Sequence, residues 1–256
     1  MGDPILQTFD VSVRFGGVQA LTSVSLHLPC GSITALIGPN GAGKTTLLGA
    51  LSGMVGIQEG RILFAGEDIT SAPAHTRAGR GMLRTFQNLE IPSSMSVIDT
   101  VRLGCHARFP IPMWHNLMAT PRSRQVEKAI HRAAMEALDF VGLADMAHYP
   151  ATTLSFGAQR AVELARALVG KPRLLLLDEP AAGLNTAETQ SLAELIVRAR
   201  DVFSLTVLVV EHDMDLVMSI SDQVAVLCFG ELMACGSPTQ IQNDPRVIAA
   251  YLGGSA

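Results

Sequence analysis

The sequence predicts an α/β fold built on parallel strands with helices on the faces of the sheet, interrupted by an inserted helical segment. In the first third of the chain, short apolar or alternating runs are separated by glycine and proline, which is typical of strands. Strand-like and helix-like patterns alternate from residue 174 to residue 227, and such alternation favours parallel strands. Between these regions, residues from about 93 to 160 have helical spacing and are predicted to be an insertion.

The individual elements follow from local patterns in chain order. Before the insertion, we predict strands at 5–15, 24–28, 33–37 and 61–64 and a helix at 44–51. After Leu154 a helix is predicted to end at a glycine followed by a proline. The remaining elements are predicted as strands at 174–177, 206–210 and 223–227 and helices at 186–200 and 214–220.

The insertion contains its own start and stop signals. Residues 96–99, Ser-Val-Ile-Asp, form a helix capping pattern, and residues 122–141 carry apolar side chains at helical spacing. Residues 109–112, Phe-Pro-Ile-Pro, predict a loop between these two helices.

Composition excludes several classes of protein. Of 256 residues, 48% are hydrophobic and 16% are charged, with a net charge of −4, whereas disorder needs low hydrophobicity and high net charge. No basic stripe is present, so we expect no nucleic-acid partner. The longest stretch without a charged residue, 15–43, contains prolines and glycines and is not predicted to span a membrane. The N-terminus lacks the pattern of a signal peptide, and the four cysteines are expected to be small buried hydrophobes in a reduced cytosolic protein.

An eight-residue segment fits the phosphate-binding pattern G-x-x-x-x-G-K-[ST] and lies between a predicted strand and a predicted helix. Its glycines let backbone N–H groups turn towards phosphate oxygens, and the following helix N-terminus adds positive potential. Lys44 is predicted to reach the β- and γ-phosphates, and the Thr45 hydroxyl to hold Mg²⁺. The predicted nucleotide-binding residues are Gly38, Pro39, Asn40, Gly41, Ala42, Gly43, Lys44, Thr45 and Thr46.

A second motif is an apolar run at 174–177 that ends in two acids, Asp178 and Glu179. Asp178 is predicted to hold Mg²⁺, directly or through water, and Glu179 to polarise a water against the γ-phosphate. The guanine-selecting sequence Asn-Lys-x-Asp is absent, so ATP is favoured over GTP. These two motifs are shared by kinases, GTPases, helicases and transport ATPases.

The sequence Leu-Ser-Phe-Gly-Ala at 154–158 resembles the L-S-G-G-Q signature of ABC-transporter ATP-binding subunits, from which Phe156 and Ala158 depart. The resemblance implies that Ser155 and Gly157 contact the γ-phosphate of ATP held by an opposite subunit, a role suited to a helix N-terminus. It also implies a P-loop ATPase core with a mixed sheet, an N-terminal antiparallel β subdomain and an inserted helical subdomain. We expect a single domain over 1–256, with the core at about 1–92 and 161–256 and the helical subdomain at about 93–160.

The same resemblance assigns further residues in the order that the family has them. Phe15 becomes the aromatic that stacks on adenine, Gln87 the glutamine that contacts Mg²⁺ or water and senses the membrane partner, and His212 the γ-phosphate switch. Asn185 falls in the loop between subunits, where aspartate is commoner. Residues 88–101 either receive helices from membrane subunits or simply cover the helical subdomain.

Four segments are similar to the ATP-binding subunits of branched-chain amino-acid importers: 84–87, 181–185, 211–218 and 244–253. The similarity implies an ATP-hydrolysing importer subunit for branched-chain or other amino acids. Importers of urea and short amides share much of the pattern, so urea or a short amide is an alternative cargo. A soluble ABC ATPase without a transport role is a further alternative. The implied partners are a second ATP-binding subunit, identical or different, multi-span permease subunits and, indirectly, a solute-binding protein. The implied location is cytoplasmic, peripheral on the inner face of the cell membrane.

Overall fold

The computed structural model of the chain describes residues 4–85, 95–107 and 121–252. Its strands are β1 (Pro4–Phe15), β2 (Val18–Val24), β3 (His27–Pro29), β4 (Ile33–Ile37), β5 (Glu59–Phe64), β6 (Glu67–Asp68), β7 (Met82–Arg84), β8 (Leu174–Asp178), β9 (Thr206–Val210), β10 (Gln223–Cys228) and β11 (Glu231–Gly236). Its α-helices are α1 (Lys44–Ser52), α2 (Ala74–Gly79), α3 (Val97–Leu103), α4 (Pro121–Phe140), α5 (Phe156–Leu168), α6 (Thr186–Phe203), α7 (Met214–Ile220), α8 (Pro238–Gln242) and α9 (Pro245–Leu252).

The central sheet has six strands in the order β11-β10-β4-β9-β8-β7. Neighbours from β10 to β7 are parallel, and β11 adds an antiparallel edge. Strands β4, β8 and β9 are buried along their whole length, as expected for parallel strands covered on both faces. The predicted mixed sheet is thereby confirmed.

The second sheet is antiparallel and is formed by the N-terminal part of the chain. Strand β1 pairs with β2, β3 and β5, and β5 pairs with β6. The predicted strand at 24–28 is wrong, because the chain is interrupted there between β2 and β3. The Thr8 hydroxyl causes this interruption by accepting the Leu26 N–H (2.8 Å) and donating to the Val24 carbonyl (3.0 Å).

Within the described ranges, three apolar cores hold these layers together. One lies between the antiparallel sheet, α1 and one face of the central sheet, and a second lies on the opposite face under α6 and α7. The third lies within the insertion, among α3, α4 and α5. Helix α5 contributes Leu164 to the second core and Val162 to the third, so it joins the insertion to the central sheet.

The helix capping pattern predicted at 96–99 is confirmed, since the Ser96 hydroxyl caps α3 by accepting the Asp99 N–H (3.2 Å). The loop predicted at 109–112 lies outside the described residues. Val97, within the segment considered for docking at 88–101, is fully buried in the third core, which favours the covering role for that residue.

Two other expectations concern burial and membrane spans. Cys105 and Cys228 are buried as predicted, but Cys30 and Cys235 are exposed, so the prediction is wrong for those two, which lie in a turn and on the edge strand β11. None of the described helices combines the length and the apolar character that crossing a bilayer demands.

Candidate functional site

The candidate site lies where three neighbouring parallel strands end. In the register of the sheet, Leu36 of β4 lies beside Val210 of β9, and Val210 lies beside Asp178 of β8. The phosphate-binding loop follows β4, His212 follows β9, and Glu179 follows β8. Because carboxyl ends of parallel strands meet at one edge, the fold brings these motifs together, although they are far apart in sequence.

The phosphate-binding loop, 38–43, has a backbone that only glycine can supply at two positions. Gly38 has φ +149°, and a Cβ there would lie 2.0 Å from the Leu227 carbonyl oxygen. Gly43 has φ +100°, and its Cβ would lie 2.6 Å from the Ala20 carbonyl oxygen. The Gly230 N–H donates to the Ala42 carbonyl (3.0 Å), so the loop is held from the β10–β11 turn as well. This loop fits a phosphate group, since it leads directly into the first turn of α1, where backbone N–H groups bind anions.

Lys44 begins α1 and is buried, with its ammonium at the loop. Its Nζ donates to the carbonyls of Gly38 (2.7 Å) and Pro39 (3.0 Å). Burial lowers the pKa of the Lys44 ammonium, and the negative charges of Glu179 and Asp178 offset part of that shift. The lysine and both acids therefore share one electrostatic site.

The other predicted loop residues differ in exposure. Asn40, Gly41 and Thr45 are exposed, and Pro39 and Thr46 are half-buried. The exposed Thr45 side chain is thus open to a ligand at the loop.

Asp178 ends β8 with its side chain buried and paired with a cation. Its Oδ2 lies 2.7 Å from Nη2 of Arg84, the last residue of β7. The sequence patterns did not predict this partner, because β7 has only three residues and shows no periodicity. An arginine three residues before Gln87 was the available signal in the sequence.

Glu179 has a left-handed backbone, with φ +48°. A non-glycine residue in that region costs about 1–2 kcal/mol, and such strain is often found at functional sites. Its N–H donates to the Val210 carbonyl (2.9 Å), which fixes the acid against the end of β9. The half-buried Glu179 side chain lies next to the metal-ligand candidate, as a residue that acts on water requires.

His212 follows β9 and has an exposed side chain, while the preceding Glu211 is buried. Glu211 accepts the N–H of Ala181 at Oε1 (2.8 Å) and the N–H of His212 at Oε2 (3.1 Å). Burial raises the pKa of Glu211, and these hydrogen bonds offset part of the shift. Glu211 was not predicted as a functional residue, although an acid at the end of a fully buried strand was visible in the sequence.

Ser155 caps α5, since its hydroxyl accepts the Ala158 N–H (3.2 Å). The Gly157 N–H donates to Glu188 Oε1 (3.3 Å), and a Cβ at Gly183 would lie 2.8 Å from the Phe156 ring. The structure therefore packs the signature segment, 155–157, against the segment 182–188 that follows the acidic strand.

Arg160 strengthens this contact between the two segments. Its guanidinium lies 5.0 Å from the centre of the Phe156 ring, and Nη2 donates to the Ala182 carbonyl (3.4 Å). The departure of Phe156 from the usual glycine is thus accommodated by contacts within this chain.

Phe15 and Gln87 complete the predicted set. Phe15 ends β1, pairs across the hairpin with Val18 and is 53% exposed, so its ring is available for stacking. The next strand carries Ala20, which contacts the phosphate loop, so the hairpin lies beside the site. Gln87 lies outside the described residues.

The donors present suit Mg²⁺. A carboxylate from Asp178 and a hydroxyl from Thr45 are hard oxygen ligands, which Mg²⁺ prefers. Within the described ranges, no group of three or more His, Cys, Asp or Glu residues could hold a metal by itself.

Comparisons with known sequences agree with this geometry. The profile described as ABC transporter matches residues 21–182, and the one described as branched-chain amino acid ATP-binding cassette transporter matches residues 231–256. The chain is 41% identical over 253 residues to the high-affinity branched-chain amino acid transport ATP-binding protein BraF of Pseudomonas aeruginosa, with 99% of both chains covered. It is also 41% identical over 254 residues to the corresponding Escherichia coli protein LivG, again with 99% of both covered.

Solved structures give the same result. A nucleotide-free ATP-binding cassette from an ABC transporter superposes with a TM-score of 0.85 at 28% identity, covering 97% of this chain and 98% of that one. The ADP conformation of an ATP-binding cassette of an ABC transporter gives a TM-score of 0.86 at 28% identity, covering 98% and 100%. The predicted P-loop ATPase fold is confirmed.

Proposed function

The chain belongs to the ABC-transporter family as an ATP-binding subunit, and from that premise we propose that it hydrolyses ATP to power the import of branched-chain amino acids. Subunits of this family are ATPases and act with membrane permeases. The cargo is supported by full-length similarity to branched-chain amino acid transport proteins and by the matching C-terminal profile. The observation that carries the ATPase mechanism is the convergence of Lys44, Asp178 and Glu179 at one edge of the central sheet.

In this proposal the loop N–H groups and Lys44 bind the β- and γ-phosphates, and Phe15 stacks on adenine. Thr45 and Asp178 hold Mg²⁺, which when bound neutralises charge on the phosphate oxygens. The Glu179 carboxylate accepts a hydrogen bond from the attacking water, while His212 and Gln87 complete the contacts around the γ-phosphate.

The second half of each nucleotide site comes from another ATP-binding subunit. Its Ser155 hydroxyl and Gly157 N–H donate to the γ-phosphate, so ATP closes the two subunits and hydrolysis lets them part. We propose a heterodimer with a related subunit, bound to multi-span permeases on the inner face of the cell membrane and supplied by a solute-binding protein. The division into a core and a helical subdomain at about 93–160 belongs to the same proposal, supported by the separate apolar core of the insertion.

The test replaces Glu179 with glutamine in cells in which this chain is the only ATP-binding subunit of its kind. Glu179→Gln should abolish leucine uptake and lower the ATPase rate of the complex, purified in mild detergent, by about 10²–10⁴-fold. The control Glu194→Gln, on the exposed face of α6, should leave both unchanged. Normal hydrolysis by Glu179→Gln would refute the role of Glu179. If Glu179→Gln cells lose urea uptake but keep leucine uptake, the proposed branched-chain amino acid cargo is refuted and the ATPase mechanism is retained.

A further inference from the structure

We propose that Arg84 is a positioning residue for the metal half of the site: its guanidinium fixes the Asp178 carboxylate in the orientation that Mg²⁺ requires. This inference rests on the proposed function, because it concerns the metal that accompanies ATP. Arg84 does not contact nucleotide in this proposal and acts only through Asp178.

The ion pair is close and deeply buried. Nη2 of Arg84 lies 2.7 Å from Oδ2 of Asp178, and the two side chains are only 12% and 2% exposed. Charge-assisted hydrogen bonds of this length are strong and directional. The pair engages Oδ2, so we assign the other carboxylate oxygen to the metal or to its water.

Arg84 also contacts the helix that carries the other proposed metal ligand. Its Nη1 lies 3.4 Å from the Ser52 hydroxyl at the end of α1 and 3.8 Å from the Met54 sulfur. Thr45 lies in the first turn of the same helix. The guanidinium is therefore placed between α1 and β8, where it sets the position of Asp178 relative to Thr45.

A comparison with Arg77 distinguishes this role from simple packing. Arg77 is also buried, and its guanidinium donates to the backbone carbonyls of Ala72, Ala50, Leu51 and Thr70. By contrast, Nε of Arg84 is buried and has no hydrogen-bond partner within the described part of the chain. Arg77 satisfies the backbone around α1, whereas Arg84 directs its charge at a carboxylate.

Removing the guanidinium would leave that buried carboxylate without the cation that is hydrogen-bonded to it. A buried carboxylate that loses its hydrogen-bonded partner is disfavoured, so we expect the Asp178 side chain to turn towards solvent. This rotation would withdraw the oxygen ligand that the metal needs. Substitutions behind a metal ligand commonly lower metal affinity by about 10–100-fold.

The experiment measures metal binding directly, with Mn²⁺ as a spectroscopic probe. The full chain is saturated with ADP and titrated with Mn²⁺, and free metal is followed by electron paramagnetic resonance. We expect Arg84→Met to weaken Mn²⁺ binding by about 10–100-fold and Arg84→Lys to weaken it less, because lysine keeps the charge but not the planar fork. Nucleotide binding measured in EDTA should be unchanged.

Arg77→Lys is the matched control, since it alters a buried arginine of α2 that also contacts α1, and it should lower thermal stability while leaving Mn²⁺ affinity unchanged. In a double-mutant cycle, Asp178→Asn should lose Mn²⁺ affinity, and adding Arg84→Met to it should cause no further loss. If Arg84→Met does not fold, Arg84→Lys carries the test.

Unchanged or tighter Mn²⁺ binding in the Arg84 variants would overturn the proposal, because the guanidinium would then be inert or a competitor of the metal. Equal weakening of Mn²⁺ and of metal-free nucleotide binding would also overturn it, as a general collapse of the site. A wild-type chain that binds no nucleotide would instead refute the proposed function.

Discussion

Among single residues, Glu211 carries a charge that the fold buries completely. Its side chain has no exposed area, and Nδ1 of the His212 ring lies 3.7 Å from its Oε2. Two backbone N–H groups, of Ala181 and His212, bind the carboxylate. These bonds connect the end of β9 to the turn after Glu179. The buried Glu211 carboxylate therefore helps to position Glu179 and His212, although its own burial is unfavourable.

This burial predicts a pH dependence of stability. Because the folded pKa of Glu211 is raised above the ordinary value of 4.5, its contribution to stability is fully present below that pH and decreases as the pH rises through the folded pKa. Glu211→Gln removes this titration. We therefore expect the unfolding free energy of the variant, relative to wild type, to increase with pH above 4.5, by at most about 1.4 kcal/mol per pH unit.

Urea unfolding at a series of pH values would measure this difference. Glu194→Gln, which removes an exposed carboxylate, is measured alongside as the control for the loss of one carboxylate. A Glu211→Gln difference that stays constant or decreases with rising pH would contradict the prediction.

At the scale of elements, α5 combines two roles in its first turn. Ser155 caps the helix, and in the proposed mechanism the same hydroxyl donates to a phosphate held by the other subunit. Ser96 caps α3 in the same way, by accepting the Asp99 N–H, but no phosphate role is proposed for it. Comparing variants of the two serines therefore distinguishes the effect of helix capping from an effect on catalysis.

Replacing either serine with alanine should lower the unfolding free energy by about 1 kcal/mol, because each removes one N-cap. Only Ser155→Ala should also lower the ATPase rate of the assembled complex. Denaturant unfolding and steady-state hydrolysis measure the two effects. Equal ATPase losses in both variants would show that Ser155 acts only through helix stability.

The sequence patterns predicted correctly those elements that have a long apolar run, a repeated apolar spacing or a strong motif. The buried runs of β4, β8 and β9 and the phosphate loop between β4 and α1 were all predicted. Strand β7 was missed because three residues carry no period, and its pairing with β8 is a long-range contact. Arg84 was missed as a functional partner for the same reason, since only the parallel register brings it to Asp178. The interruption at 25–26 was missed because it depends on the Thr8 side chain of another strand.

At the scale of the whole molecule, the proposed mechanism gives one chain both halves of a nucleotide site: the phosphate loop with its acids, and the signature segment that faces the ATP of another subunit. The loop and acids lie at the edge of the central sheet, and the signature segment contacts 182–188 in the same chain.

If two subunits are needed to enclose ATP, the ATPase rate per chain should rise with protein concentration and then level off. A rate that rises only after the related subunit is added would identify the heterodimer. A constant rate per chain at every concentration would contradict closure between two subunits.

The order of the central sheet also governs how the chain can fold during its synthesis. Strand β4 is made early, yet its two neighbours, β9 and β10, come from the last part of the chain. Gly38 and Gly43 are likewise positioned against groups from both ends, Leu227 and Ala20. A growing chain on the ribosome therefore has a phosphate-binding sequence without a phosphate-binding site until β10 has emerged. Pairing between such distant segments is slow, and the exposed apolar strand β4 must remain unpaired in the meantime.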